Sequence, residues 1–131
     1  MRNLVMGLAA GRVAVGLAML ADPERSVRGW AGGRAASYGG TQMITRGFGA
    51  RDLSLGAGTL AALMSGGDAR EWVVAGAFAD ACDLGATAVA DDIPLSGRVL
   101  VLGVAGAAIA VGAAYLASGA RDAHGASALT S

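Results

Sequence analysis

The sequence predicts an all-α integral membrane protein, a bundle of four transmembrane helices around a buried network of arginine and aspartate side chains. Three observations predict this fold. The chain of 131 residues is 54% hydrophobic and only 15% charged, with a mean hydropathy of +0.53, whereas soluble domains usually carry about 25% charged residues. It contains four apolar stretches of the length of a bilayer. Each stretch ends in proline, glycine pairs or acidic pairs, which stop helices.

The four apolar stretches predict one transmembrane domain over residues 1–131, with a polar C-terminal tail at 119–131. About 20 residues, at about 1.5 Å each, cross about 30 Å of hydrocarbon. Arg12 lies in the middle of the first stretch, which disfavours a cleaved signal peptide. The last stretch has no charge, which disfavours a soluble helical bundle. The predicted helices are 4–20, 42–64, 72–90 and 99–116.

The connection between the first two predicted helices is the longest, and it combines arginines with aromatic residues. Such a segment suits the level of the lipid headgroups, and an ordinary hydrated loop is the alternative. The distribution of arginines over the loops favours a cytoplasmic first loop and external termini by a margin of one arginine. The arginines and aromatic residues of this longest connection are Arg25, Arg28, Trp30, Arg34 and Tyr38.

Six ionisable residues are predicted to lie inside the membrane. Each costs about 2.5–3.5 kcal/mol at a helix centre, so a stable bundle must pair them. Three are positive and three negative, so their charges cancel. The pairs either lock the helices in register or form a polar pocket for a lipid headgroup, a small substrate or a proton. The six residues are Arg12, Arg46, Arg51, Asp52, Asp80 and Asp83.

Charge and composition exclude several other function classes. The chain has 10 basic and 10 acidic residues, so no basic surface for nucleic acid is predicted. Cys82 is the single cysteine, and His124, the single histidine, falls in the predicted tail. A disulfide, a cysteine-rich or histidine-rich metal site, and a haem held by two histidines are therefore not expected. No cofactor is predicted.

Small residues mark helix faces that can pack closely. Gly7-x-x-x-Gly11 in the first helix fits the close-packing motif of membrane helices, and the fourth helix offers Gly103, Gly106 and Gly112. We expect these faces to pack within the bundle, with homodimerisation as the alternative.

Three segments carry a family resemblance: Gly11–Glu24, the Gly49-Ala-Arg-Asp-Leu-Ser-Leu-Gly56 segment, and the helix with Asp80-Ala-Cys-Asp83. They resemble a family of small bacterial four-span membrane proteins of unknown function, loosely similar to DoxX-like proteins. The resemblance implies four helices and a multi-pass location in the bacterial plasma membrane, but no reaction. It extends to Arg12, Arg51, Asp52, Asp80 and Asp83.

These features predict an accessory or scaffold subunit that binds a membrane lipid or a protein partner, the latter including a second copy of the chain. The alternative is a membrane enzyme in which Asp80 or Asp83 is the acid or base on an isoprenoid-like or sterol-like substrate. A second alternative is an oligomeric transporter or proton conduit. In each case, helices one to three should meet around the polar centre while the fourth faces lipid or a partner.

Overall fold

The computed structural model describes the backbone of residues 1–128 and the side chains of residues 1–118. Within these residues it contains six helices and no strand, so the prediction of an all-α chain is confirmed. The helices are α1 (Arg2–Ala21), α2 (Pro23–Ala31), α3 (Gly33–Ala36), α4 (Gly39–Met64), α5 (Arg70–Val89) and α6 (Leu95–Ala128).

The four long helices, α1, α4, α5 and α6, occupy the four apolar stretches of the sequence. Each begins two to four residues before its predicted start. The end of α6 differs most, because its backbone stays helical to Ala128 rather than ending near residue 116. In the predicted tail, residues 129–131 and the side chains of 119–128, including His124, lie outside the described residues.

The long connection is helical rather than an ordinary loop. The carboxylate of Asp22 accepts a hydrogen bond from the backbone N–H of Arg25 at 3.0 Å, and Pro23 occupies the first turn of α2. This is a favourable start for a helix. Gly32 ends α2 with a φ of +86°, a backbone angle that glycine adopts without strain. α2 contacts α1, α4 and α6 and covers one end of the bundle, with Val27 buried beneath it.

Three helical segments are long and apolar enough to cross a membrane: α1, α5 and the part of α6 at Leu95–Ser118. In their most apolar windows, only 17%, 28% and 17% of the residues are buried within the chain. α4, with 26 residues, is not among them. Of the four predicted spans, three are therefore apolar enough to cross a membrane by length and composition, and α4 is not.

The long helices form two close pairs. α1 packs along α4, and α5 packs along α6. The contacts of α4 with α5 and of α1 with α6 are less extensive. In the described part of the chain, the backbones of α1 and α5 do not pack against each other, nor do those of α4 and α6. The helices therefore surround a common centre in the order α1, α4, α5, α6, and the two pairs face each other across it.

Glycine brings α1 and α4 together. A Cβ atom added at Gly16 would lie 2.6 Å from the carbonyl oxygen of Gly49, and one at Gly56 would lie 2.6 Å from that of Ala9. Both distances are far shorter than a van der Waals contact. The atoms concerned belong to the backbone, so they cannot move aside as a side chain would. Gly49 and Gly56 are seven residues apart and thus share a face of α4. The close helix contact therefore depends on this pair and Gly16.

The expected close packing of Gly7 and Gly11 within the bundle is wrong. A Cβ atom at either position meets nothing within 4 Å, because this face of α1 is turned away from α4. Gly103 and Gly106 of α6 are equally open, whereas a Cβ at Gly112 would lie 3.2 Å from Val73 of α5. Of the predicted small-residue faces, only the one at Gly112 is a contact between helices.

Candidate functional site

Arg12 lies midway along α1 and reaches across the centre of the bundle. Its Nη1 donates to Oδ1 of Asp52 at 3.0 Å, and its Nη2 donates to Oδ2 of Asp80 at 2.5 Å. Nη2 also lies 3.3 Å from the carbonyl oxygen of Gly76, to which it donates. Gly76 leaves room for this approach, since a Cβ there would lie 3.3 Å from Nη2. One side chain of α1 thus binds both α4 and α5.

Arg51 extends from the middle of α4 to α5. Its Nη1 and Nη2 donate to the two carboxylate oxygens of Asp83, at 2.9 and 2.7 Å. A pair of parallel hydrogen bonds of this kind fixes the orientation of both groups. Nη2 also lies 3.4 Å from Oδ1 of Asp52, the same oxygen that Arg12 binds. Asp52 therefore joins the two arginines.

These contacts form one continuous ion-pair cluster, which we define as Arg12, Arg51, Asp52, Asp80 and Asp83. It links α1 and α4 to α5, across the line where the two helix pairs meet least closely. With two guanidinium groups and three carboxylates, its formal charge is −1 when all are ionised. All five members of the cluster were predicted from the sequence. The predicted net charge of zero differs from the observed −1, because the predicted set also contained Arg46.

Arg46 does not join the ion-pair cluster, which corrects its predicted place in the network. Its side chain is exposed, and no ion pair of Arg46 occurs among the residues that the structure describes. Five residues separate it from Arg51, a rotation of about 140° around α4 at 3.6 residues per turn. Arg46 therefore points away from the centre.

Two aromatic rings support Arg51. The guanidinium carbon of Arg51 lies 5.1 Å from the centre of the Phe48 ring, within the range of a cation–π contact. The Phe48 ring lies 5.8 Å from that of Trp30, at an angle of 42°. Trp30 comes from α2, in the connection for which the sequence predicted either the headgroup level or a hydrated loop. The structure places Trp30 against the site, a contact that no sequence spacing signals.

A cleft with a volume of about 510 Å³ lies against the ion-pair cluster, and all five cluster residues line it. The cleft runs between α1 and α6 to Trp30 at the end covered by α2. Its outer walls are apolar and partly exposed, at 46% for Val15, 51% for Leu100 and 64% for Val104. Gly7 and Gly11 also line it, so the missing side chains of these glycines widen the cleft.

Two buried hydrogen-bond donors on the wall of this cleft have no partner among the described residues. They are Nε1 of Trp30 and Nε of Arg51, both inaccessible to solvent. Buried polar atoms are normally hydrogen-bonded, because leaving one unpaired costs about 1–3 kcal/mol. Both atoms belong to residues that line the cleft, but neither atom is itself accessible from it.

Three threonines add little to the site. Oγ1 of Thr45 donates to the carbonyl oxygen of Thr41 at 2.8 Å, within α4, instead of to the cluster. Thr87 follows Asp80 and Asp83 on one face of α5, as the spacing indicates, and it is 2% exposed. Its hydroxyl has no partner within the described residues.

No group of three or more histidine, cysteine, aspartate or glutamate side chains in the described residues is placed to hold a metal ion. Cys82 is exposed and free. Comparison with known protein families, with characterised proteins and with solved structures finds no match to this chain.

We expect Asp80→Asn to lower the stability more than Asp83→Asn. The side chains of Arg12 and Asp80 are 12% and 10% exposed, whereas those of Arg51 and Asp83 are 29% and 25% exposed. Breaking the more buried pair, Arg12–Asp80, should cost about 3 kcal/mol. Breaking the more exposed pair, Arg51–Asp83, should cost about 1 kcal/mol. Denaturant unfolding of the purified variants in mild detergent measures both. Equal losses would contradict this ranking of the two pairs.

Proposed function

We propose that the chain is an integral protein of the bacterial plasma membrane, with α1, α4, α5 and α6 crossing the bilayer. Large apolar side chains on the outside of the bundle support this, such as Phe78 at 71% and Val99 at 61% exposure. Soluble proteins rarely expose such continuous apolar surfaces. α4, with 26 residues, is about 39 Å long, and its Arg51 and Asp52 face the centre and are paired.

We further propose that the protein is an accessory or scaffold subunit that binds a membrane lipid. The cleft beside the ion-pair cluster is the observation that carries this proposal. Lipid-like molecules have a polar end and an apolar chain, and the cleft combines polar groups at the cluster with apolar walls on α1 and α6. Its volume of about 510 Å³ lies within the range of typical small-molecule pockets, about 300–1,000 Å³.

A membrane enzyme is the second candidate, and the position of Asp80 on the cleft wall favours it. An acid or base must reach its substrate, and Asp80 uses one oxygen for Arg12. Asp83 is less suitable, because Arg51 engages both of its oxygens. With three carboxylates bound by arginine, the cluster suits binding better than proton transfer.

Purification of the full chain from membranes in mild detergent, followed by mass spectrometry of the extracted lipids, tests the proposed function. We expect the protein to resist extraction from membranes by alkaline carbonate and to retain about one lipid per chain after extensive detergent washing. Recovery of the chain in the soluble fraction would overturn the membrane proposal. A membrane-bound but lipid-free protein would overturn lipid binding, and conversion of the bound lipid would favour the enzyme.

A further inference from the structure

The ion-pair cluster leaves two carboxylate oxygens free beside the cleft. Asp52 binds both arginines through Oδ1, and Asp80 binds Arg12 through Oδ2. Oδ2 of Asp52 and Oδ1 of Asp80 accept no hydrogen bond from the described residues, and unlike Nε of Arg51 they are not closed to solvent. Asp80 as a whole residue is 7% exposed, and both aspartates line the cleft. An ionised carboxylate only accepts hydrogen bonds, so a ligand held here must supply donors.

The charge at the wall of the cleft favours a cationic ligand. Among the described residues that line the cleft, only the five members of the ion-pair cluster are charged, and their charges sum to −1 when all are ionised. An uncompensated charge is unfavourable in surroundings of low dielectric constant, and a nearby opposite charge offsets this effect. A ligand with a single positive charge would make the site neutral, whereas a neutral or anionic ligand would not.

The other walls of the cleft indicate the shape of this cation. Trp30 and Phe48 line the cleft beside the cluster, and the faces of aromatic rings attract cations. Farther from the cluster the lining is apolar and includes Val15, Leu100 and Val104. A primary ammonium group is a compact charge with three N–H donors. An ammonium group on a long alkyl chain therefore matches both the charged end and the apolar walls of the cleft.

We infer that the cleft binds a lipophilic primary amine whose only charge is its ammonium group. The ammonium group donates hydrogen bonds to the free oxygens of Asp52 and Asp80, and the alkyl chain lies along the apolar walls between α1 and α6. This inference rests on the proposed lipid binding at the same cleft and specifies the ligand. A headgroup that joins an ammonium to a phosphate has no net charge, so it would leave the negative charge of the site in place.

Native mass spectrometry of the full chain in a nonionic detergent, titrated with probes of matched chain length, measures the relevant affinities. The probes are oleylamine, oleyl alcohol, oleate and oleoyl lysophosphatidylethanolamine. We expect oleylamine to bind about 10- to 100-fold more tightly than oleyl alcohol, as a hydrogen bond to a charged group would give. Oleate should bind about tenfold more weakly than the alcohol. The lysophospholipid, which adds a phosphate to the ammonium, should bind at least about tenfold more weakly than oleylamine.

Two aspartate variants separate the charge of the cluster from its free oxygens. Asp52→Asn and Asp83→Asn each bring the charge to zero, but Asp83 has no free oxygen, because Arg51 engages both of its oxygens. Asp52→Asn should lower the preference for oleylamine over oleyl alcohol by about tenfold, and Asp83→Asn by about threefold. Circular dichroism of both variants checks that they are folded, and Asp83→Asn provides the test if Asp52→Asn is not.

Two glycine variants test whether the probes occupy the cleft. Gly11→Leu places a side chain in the cleft and should abolish binding of oleylamine and oleyl alcohol. Its matched control is Gly47→Leu, at a helical glycine that is equally open but does not line the cleft. Gly47→Leu should bind both probes as the unaltered chain does.

The outcomes distinguish this inference from the proposed function. The inference alone fails if oleylamine and oleyl alcohol bind equally, if oleate or the lysophospholipid binds more tightly than oleylamine, or if a folded Asp83→Asn variant keeps the full preference for oleylamine. If Gly11→Leu and the unaltered chain bind every probe equally, the cleft is not a lipid site, and the inference and the proposed lipid binding both fail.

Discussion

Replacement of Arg12 by methionine is expected to destabilise the bundle by about 3–5 kcal/mol, as is typical when one partner of a buried ion pair is removed. Arg12 is the only residue of α1 in the ion-pair cluster, and it binds Asp52 and Asp80 at once. Without it, Asp80 keeps no cationic partner in the cluster, and Asp52 keeps only the longer contact with Arg51. Denaturant unfolding in mild detergent, followed by circular dichroism, measures the loss.

Arg46→Met is the matched control, because Arg46 is an exposed arginine outside the cluster. Surface substitutions of this kind usually change stability by less than about 0.5 kcal/mol. Adding Asp80→Asn to Arg12→Met should restore part of the loss, since the second change removes the carboxylate left unpaired. Comparable losses for Arg12→Met and Arg46→Met would show that the cluster does not hold the helix pairs together.

The members of the ion-pair cluster were predictable from the sequence because charges inside apolar helices must find partners. Asp80 and Asp83 are three residues apart and therefore share a face of α5, and Asp52 follows Arg51 directly. Arg46 was misplaced because depth along a helix does not determine the face on which a residue lies. Its rotation relative to Arg51 would have excluded it from the cluster.

The cleft was not predictable, because it arises between elements that are distant in sequence. Trp30 reaches the site only because α2 folds back over the end of the bundle. The start of α2 was visible in Asp22-Pro23, since aspartate is a favourable N-cap and proline a favourable first helical residue. The same pair also marks the end of the preceding helix. Nothing in the chain's local pattern places Trp30 beside Phe48.

The glycines of α1 show why a motif alone does not identify a helix contact. Gly7 and Gly11 fit the spacing expected for close packing, yet they line the cleft and touch no neighbouring helix. Gly16 makes the close contact, with Gly49 on α4. Small residues thus have two roles in this bundle: some bring α1 against α4, and others keep the cleft between α1 and α6 wide.

These two roles predict opposite effects of the same substitution. Gly16→Ala should destabilise the bundle by about 3 kcal/mol, at the upper end of the usual cost of overpacking. The added Cβ would lie 2.6 Å from both the carbonyl oxygen of Gly49 and the backbone nitrogen of Leu53. Neither atom can rotate away as a side chain would, so α1 and α4 must separate along their contact.

Gly11→Ala is the control in the same helix, and we expect it to stabilise the protein by up to about 1 kcal/mol, because alanine favours helices more than glycine does. The added methyl group enters the cleft without meeting another atom within 4 Å. Denaturant unfolding of both variants in one detergent gives the comparison. A tolerated Gly16→Ala would mean that α1 and α4 do not pack through Gly16 and Gly49.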